Sequence, residues 1–135
     1  MKIFDRTMGV LERTMDLRAA RHRTIAANIA NEETPGYRPK EFRFIDALSS
    51  AVRGRGEGQI RVTHALHIGP RGDAVSRVTG KAVELNGEEG GLDKNSVNLD
   101  FEMAKLSDNA LNYNGAASII GIRFRQLLAA IREAR

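Results

Sequence analysis

The sequence contains no cysteine and no tryptophan among its 135 residues, and aromatic residues make up only 5%. Because cysteine is absent, a disulfide framework, a thiolate metal site, a cysteine nucleophile and a thiol redox sensor are all excluded. The chain also lacks any run of the roughly 18 consecutive apolar residues that a membrane span requires. Its start, Met1–Arg6, has neither the apolar core nor the cleavage site of a secretory signal peptide. We therefore expect a protein that stays in the cytosol or leaves it by a route independent of such a signal.

Positive charge is in slight excess but is not concentrated. Lysine and arginine number 21 against 17 aspartate and glutamate, which gives a formal net charge of +4. The excess is spread evenly along the chain, whereas a nucleic-acid-binding protein usually gathers its basic groups into a stripe. The nearest approach to a cluster is Arg18, Arg21 and Arg23, which fits a solvated helix face or an interface patch. Nucleic acid is therefore not an expected partner.

Two long segments, residues 3–31 and 98–134, carry apolar residues at alternating steps of four and three. The first repeat is interrupted by Arg18 and His22, and the second starts at Leu99, where Asn98 or Asp100 can cap a helix. Such heptad spacing is typical of helices that pair as in a coiled coil. We predict two terminal helices that pair with each other and with neighbouring molecules. The predicted assembly interface comprises Met8, Leu11, Met15, Ile25, Ile29, Met103, Leu106, Ala110, Tyr113, Ala117, Ile120, Phe124, Leu127 and Ile131.

The middle of the chain, residues 35–97, has a different composition. It holds all three prolines and most of the 13 glycines, and Gly54–Gly58 reads as a flexible linker. Short alternating stretches at Ile60–Val62, Ala74–Val78 and Val83–Leu85 could form strands, including one short β-hairpin. Large apolar residues are too few for a separate core, so we expect extended chain that is ordered only against a partner. The fold class is thus mainly α, with residues 1–135 forming a single domain.

Catalytic constellations are weak throughout. His64 and His67 have a spacing that could serve a metal on a helix, but their glycine-rich surroundings do not favour a helix and no carboxylate lies near. The pairs Glu32–Glu33 and Glu88–Glu89 are adjacent in sequence, so their side chains tend to point apart. The glycine-rich stretch lacks the Gly-Lys-Ser/Thr ending of a phosphate loop. We therefore expect no enzyme, no cofactor, no metal and no small-molecule substrate; a hydrolase or metal protein would need metal at His64 and His67.

One stretch, residues 26–38, is far more specific. It resembles the Ala-Asn-Asn-Ile-Ala-Asn-x-x-Thr-Pro-Gly-Tyr signature of the bacterial flagellar axial proteins, which build the rod and hook. Ala27 stands where the first asparagine of that signature is common. A later stretch, Thr63–Ile68, is similar to the mid-chain Thr-His-x-x-His-Ile of short proteins of the proximal rod. The matching residues are Ala27, Asn28, Ile29, Ala30, Asn31, Thr34, Pro35, Gly36, Tyr37, Thr63, His64, His67 and Ile68.

Two further stretches strengthen the likeness to proximal rod proteins. Arg38–Phe44 looks like their extended continuation, and Asn95–Ala104 looks like the entry to their C-terminal helix, with Lys94 in place of the usual glycine. The resemblance covers nearly the whole chain. It implies a structural subunit of the flagellar basal body, built into a tube by its terminal helices, and no cofactor.

The resemblance also implies partners and a route. The expected partners are other rod proteins, copies of the chain itself, the protein that joins the rod to the MS ring, and the flagellar type III export apparatus. Export of an unfolded chain to the periplasmic rod would need no cleaved signal, and Phe4 and Met8 resemble an export signal of such substrates. The alternative is a basic coiled-coil adaptor or a nucleic-acid-binding module, whose binding to DNA would depend steeply on salt.

Overall fold

The structure, a computed structural model, describes residues 6–54, 74–85 and 97–133. In chain order the elements are α1 (Arg6–Ala30), β1 (Lys40–Arg43), α2 (Ile45–Val52), β2 (Lys81–Glu84) and α3 (Leu99–Glu133). The predicted fold class is confirmed, since long helices occupy both ends and a small antiparallel sheet lies between them. The predictions for the linker beyond Gly54, for a strand at Ile60–Val62 and for the stretch Thr63–Ile68 fall outside the described residues.

Helices α1 and α3 run antiparallel and make the most extensive contact between elements. Near the end of α1, Asn28 donates to the Glu102 carboxylate at 3.1 Å. Further back, the Arg18 carbonyl accepts from Asn109 Nδ2 at 2.9 Å. The start of α3 carries one of the two predicted caps, because Asn98 Oδ1 accepts from the Phe101 N–H at 3.1 Å. Numbers rise along one helix as they fall along the other, so the chain forms a long helical hairpin.

The contact face of α3 is rotated from the predicted apolar positions. Its buried residues are Glu102, Asn109 and Ala116, each one position before a residue of the predicted interface, namely Met103, Ala110 and Ala117. Met103 is 48% exposed, whereas Glu102 is 3% exposed. Periodicity of apolar residues could not find this face, because two of the three buried side chains are polar: Glu102 accepts from Asn28, and Asn109 donates to the Arg18 carbonyl.

The middle of the chain differs from the expected extended segment. β1 and β2 pair antiparallel, with Lys40 opposite Glu84 and Arg43 opposite Lys81, so a strand at Val83 is confirmed. The two strands come from distant parts of the chain rather than from a tight hairpin, and the helix α2 was not predicted. The stretch Ala74–Val78, a candidate strand, forms a turn instead.

The described middle residues pack on the chain's own first helix. A buried cluster joins α1 to the middle segment through Leu17, Phe44, Ala51, Val75 and Val78. The expectation that this segment is ordered only against a partner is thus wrong for its described part, because α1 supplies the missing apolar surface. The spacing of Phe44, Leu48 and Ala51, which places them on one side of α2, was the available signal for that helix.

Two arginines of α1 fasten the same segment by polar contacts. The Arg6 guanidinium donates to the Val52 carbonyl at 2.7 Å, at the end of α2 where helix carbonyls lack partners within the helix. The Arg13 Nε donates to the Val78 carbonyl at 2.8 Å. Val10 lies between the two arginines in sequence and Leu17 follows them. Arg6, Val10, Arg13 and Leu17 are spaced by four, three and four residues and therefore form a second face of α1. α1 therefore packs on two sides, against α3 and against the middle segment.

Substitution at Gly80 tests the packing of this segment. A Cβ there would overlap the ring of Phe42, which itself packs on the buried cluster. Because the ring must move away from its contact with the buried cluster, we expect Gly80→Ala to lower the free energy of unfolding by about 1–3 kcal/mol, measured by urea denaturation.

The matched control is Gly115→Ala in the middle of α3. No described atom lies within 4 Å of a Cβ added at Gly115, so the helix should gain about 1 kcal/mol from the substitution. Equal unfolding midpoints for Gly80→Ala and the unsubstituted chain would contradict the close packing of Phe42 on Gly80.

Candidate functional site

The signature residues lie where α1 ends and the chain turns back. Asn31 Nδ2 donates to the Ala27 carbonyl at 2.8 Å, and the Thr34 hydroxyl donates to Asn31 Oδ1 at 3.2 Å. Thr34 precedes a proline, which disfavours helical backbone at Thr34. Gly36 then has a φ of 74°, in the left-handed region that glycine adopts without strain. These local bonds end the helix and direct Tyr37 back along it.

Asn28 is the centre of this region and is fully buried. Its Nδ2 donates to the Lys40 carbonyl at 2.8 Å and to Glu102 Oε2 at 3.1 Å. Its Oδ1 accepts from the Lys40 N–H at 2.9 Å and from the Tyr37 hydroxyl at 3.2 Å. We call Asn28, Tyr37, Lys40 and Glu102 the Asn28 network. One side chain thereby joins α1, the returning chain at β1, and α3.

The amide of Asn28 uses its whole hydrogen-bonding capacity. An asparagine side chain has two N–H donors and two acceptor lone pairs, and all four are engaged in the Asn28 network. A buried polar group left without its partner costs about 1–3 kcal/mol, so this burial is tolerated only in the observed arrangement. No other side chain of similar size offers two donors and two acceptors in this geometry. The requirement for asparagine at position 28 is therefore chemical.

Glu102 brings a carboxylate into the same buried region. It is 3% exposed, and besides accepting from Asn28 it pairs with Lys105 Nζ at 2.7 Å. The Lys105 ammonium also lies 4.4 Å from the centre of the Phe101 ring. Removal of one partner from a buried pair is strongly destabilising, because the other charge stays buried alone. Glu102 is thus held on both of its oxygens.

A second polar contact crosses the two long helices at Arg18 and Asn109. Asn109, which is 1% exposed, donates to the Arg18 carbonyl, while the Arg18 guanidinium lies 5.8 Å from the ring centre of Phe44. Burial lowers the pKa of Arg18, an effect that the charge of Asp108 opposes. Of the three arginines expected on one solvated face or interface patch, Arg23 is exposed but Arg18 is half-buried among three elements.

The remaining signature residues are more open. Ala27, Ala30, Thr34, Pro35 and Gly36 are exposed, and Ile29 is half-buried. Thr63, His64, His67 and Ile68 lie outside the described residues, as does Phe4 of the expected export signal. Asn28 and Asn31 belong to the stretch that resembles the axial signature. Glu102 and Asn109 were not among the predicted site residues, because a polar residue on a heptad face gives no apolar signal.

Apolar side chains on α3 remain exposed in the single chain. Of the predicted interface residues on α3, none is among its buried residues, and Met103, Phe124 and Ile131 are 48%, 45% and 60% exposed. On α1, by contrast, Met8 and Ile25 are buried and Leu11, Met15 and Ile29 are half-buried. Other large apolar side chains exposed on α3 are Leu99, Phe101, Leu111, Ile119, Ile122 and Leu128. Phe124, Leu128 and Ile131 follow one another at steps of four and three and so share one side of α3, and an exposed apolar patch of this kind marks an interaction site.

Other kinds of site find little support in the described chain. The described residues hold no cluster of three or more histidine, aspartate or glutamate side chains suited to a metal ion. Across residues 6–54, 74–85 and 97–133, no helix combines the length and apolar character needed to cross a membrane. The arrangement that the signature builds is a structural joint, with an unpaired apolar helix face beside it.

The chain is thus a long helical hairpin whose joint is built by residues 26–38, the stretch that resembles the flagellar axial signature. No family model matches the sequence. The chain is 30% identical to the flagellar basal body rod protein FlgB of Salmonella typhimurium, over 92% of this chain and 91% of that protein. It is 30% identical to FlgB of Cereibacter sphaeroides, over 93% of each chain, and 27% identical to FlgB of Escherichia coli, over 96% and 95%. The chain belongs to the FlgB family of flagellar basal body rod proteins.

Substitution Asn28→Asp tests the Asn28 network with almost no change in shape. The new oxygen would face the Lys40 carbonyl and the Glu102 carboxylate, so two attractive contacts become repulsive. We expect a loss of about 3 kcal/mol or more in the free energy of unfolding, measured by urea denaturation. Adding Glu102→Gln should recover part of the loss, because the glutamine amide can donate to the new carboxylate.

The control for this pair is Asn31→Asp. Asn31 makes only local bonds at the end of α1, so its substitution should cost about 1 kcal/mol or less. If Asn28→Asp were as mild as Asn31→Asp, or if Glu102→Gln brought no recovery, the Asn28 network would not be the joint described here.

Proposed function

We propose that this chain is a structural subunit of the proximal rod of the flagellar basal body, and that it links the MS ring to the rest of the rod and transmits torque. The single observation that carries the proposal is the exposed apolar face of α3, which includes Met103, Phe124 and Ile131. A folded chain gains nothing from leaving these side chains in water, whereas an assembled tube buries them against neighbours. Family membership supports the same role.

Torque transmission fits the contacts inside the hairpin. A subunit that carries mechanical load must keep its two helices in one register, and non-directional apolar contacts alone allow sliding. The Asn28 network supplies directional bonds at one end, and the Asn109 bond to Arg18 supplies another further along. We infer that the subunit acts as a single axial domain, residues 1–135, and that catalysis plays no part in its function.

The predicted interface then divides by location. Met8, Leu11, Met15, Ile25 and Ile29 on α1 serve mainly the hairpin, since they are buried or half-buried in the single chain. On α3, the exposed residues Met103, Phe124 and Ile131 would face other rod subunits, copies of the chain or the protein of the MS-ring junction. The half-buried residues of α3 would contribute to both contacts; they are Leu106, Ala110, Tyr113, Ala117, Ile120 and Leu127. The chain would reach the periplasmic rod unfolded, through the flagellar type III apparatus, with Phe4 and Met8 as part of its export signal.

Motility of the native bacterium tests the proposal. Deletion of the gene should abolish swimming, and the unsubstituted gene should restore it. Phe124→Ser should fail to restore swimming although the purified variant keeps its helix content by circular dichroism, because it removes apolar contact needed only in the assembly. Gln126→Ser, at an exposed polar position of the same helix, is the control and should swim.

A deletion strain that still swims would contradict the rod function. A Phe124→Ser strain that swims would contradict only the role of the exposed apolar face and would leave the rod function untouched. Steeply salt-dependent DNA binding by the purified chain would instead favour the alternative of a basic nucleic-acid-binding module.

A further inference from the structure

The direction of the backbone groups in the small sheet can be read from the Asn28 network. Along an antiparallel strand, the N–H and C=O groups of successive residues point alternately to its two sides. Both backbone groups of Lys40 bond to the Asn28 amide and therefore point away from β2. The Pro39 carbonyl accepts from the Leu85 N–H at 2.9 Å, so the preceding position faces β2. The hydrogen bonds between the two strands thus fall at every second residue, and Lys40 is not one of them.

The residues of β2 whose backbone groups point outward are Ala82 and Glu84. They lie opposite Phe42 and Lys40, the positions of β1 that point away from β2. Within residues 6–54, 74–85 and 97–133, no hydrogen bond reaches the backbone N–H or C=O of either residue. All four residues of β2 are also exposed. Two N–H donors and two C=O acceptors therefore form an unpaired row, which we call the β2 edge.

A groove next to the β2 edge can hold an apolar side chain. Its volume is about 650 Å³, and its lining includes Ile45 at the start of α2 and Val83 of β2. These two side chains are 55% and 38% exposed. Because side chains alternate along a strand, a residue placed opposite Val83 on an added strand lies on the same face of the sheet as the groove. An apolar residue is the one that suits this position.

The charged residues that line the groove leave an excess of positive charge. Arg43 pairs with Glu41 at 2.9 Å. The other charged residues of the lining form no salt bridge within the described part of the chain; they are Arg21, Lys81 and Asp46. Lys81 lies on the groove side of β2, so an added strand would place a side chain directly opposite it. A carboxylate at that position would complement the free ammonium group.

We infer that the β2 edge binds an extended segment of another protein, added antiparallel as a third strand, with an apolar residue opposite Val83 and a carboxylate opposite Lys81. A row of alternating donors and acceptors requires the same row on its partner, and an extended polypeptide supplies it. A second β2 bound through the same groups would place Leu85, which has no charge, opposite Lys81. The β2 edge belongs to the middle of the chain, so the inference does not depend on the role proposed for α3.

Titration of the full chain with a synthetic peptide, followed by NMR, tests the inference. The probe is acetyl-Gly-Val-Thr-Val-Thr-Glu-Gly-amide, in which the glutamate follows the central valine by two positions. We expect saturable shifts of the Ala82 and Glu84 amide signals and slower hydrogen exchange of both. N-methylation of the two threonines, whose N–H groups would face the β2 edge, should abolish these shifts. N-methylation of the central valine, whose N–H would point away, should leave them.

Substitutions in the chain separate the backbone from the charge contribution. Ala82→Pro removes an outward N–H but leaves the bonds between β1 and β2, so it should abolish the shift of the Glu84 signal. Lys81→Glu should weaken binding at least about tenfold, and a probe with lysine in place of its glutamate should restore it. Arg125→Glu, the same charge change on α3, is the control and should bind normally. Circular dichroism and the urea midpoint check that each variant is folded.

Three results would overturn the inference. The first is a probe that moves neither the Ala82 nor the Glu84 signal, and the second is an equal effect of N-methylation at the threonines and at the valine. The third is a shift of the same two signals with rising protein concentration and no peptide, which would show that a second copy occupies the β2 edge. All three are independent of swimming, so they leave the test of the rod function untouched.

Discussion

The bond between the buried Asn28 amide and the Glu102 carboxylate holds together parts of the chain that are far apart in sequence. The same amide also hydrogen-bonds to the backbone N–H and carbonyl of Lys40 and to the hydroxyl of Tyr37. The end of α1, the returning strand and α3 therefore meet at one side chain. Register between antiparallel helices is poorly fixed by apolar contact, because a shift along the axis exchanges one apolar neighbour for another. A buried amide with four satisfied bonds has only one acceptable position, and it therefore sets the register for the whole hairpin.

The use of two faces on α1 follows from that geometry. With α3 fixed on one side, the opposite side of α1 remains available, and Leu17 packs there into the cluster of Phe44, Val75 and Val78. Arg6 and Arg13 satisfy backbone carbonyls of the same segment. The middle of the chain has too few apolar residues for a separate core. It needs to supply only one side of the buried cluster, because α1 supplies the other side. The small sheet and α2 are accordingly an extension of the helical hairpin.

The elements of the fold could be predicted from the sequence where a periodic or local signal existed. The two terminal helices follow from apolar spacing, and the cap at Asn98 follows from its side chain. The contact face of α3 could not be found in this way, since Glu102 and Asn109 look like solvent-facing residues until the partner is known. Helix α2 was missed because the glycine and proline content around it outweighed the short spacing of Phe44, Leu48 and Ala51. What the sequence pattern cannot contain is which distant groups satisfy a buried polar atom.

Polar and apolar residues thus take separate tasks in this chain. The directional hydrogen bonds of Asn28 and Asn109 lie inside the hairpin, where they select one register of α1 against α3. The large apolar side chains of α3 stay exposed, where contact with another molecule would not require strict geometry. Apolar contact tolerates variation in geometry because it depends on buried area rather than on direction. A subunit built on this division keeps its own helices in one register through directional bonds and leaves its apolar side chains on α3 free for contact with other molecules.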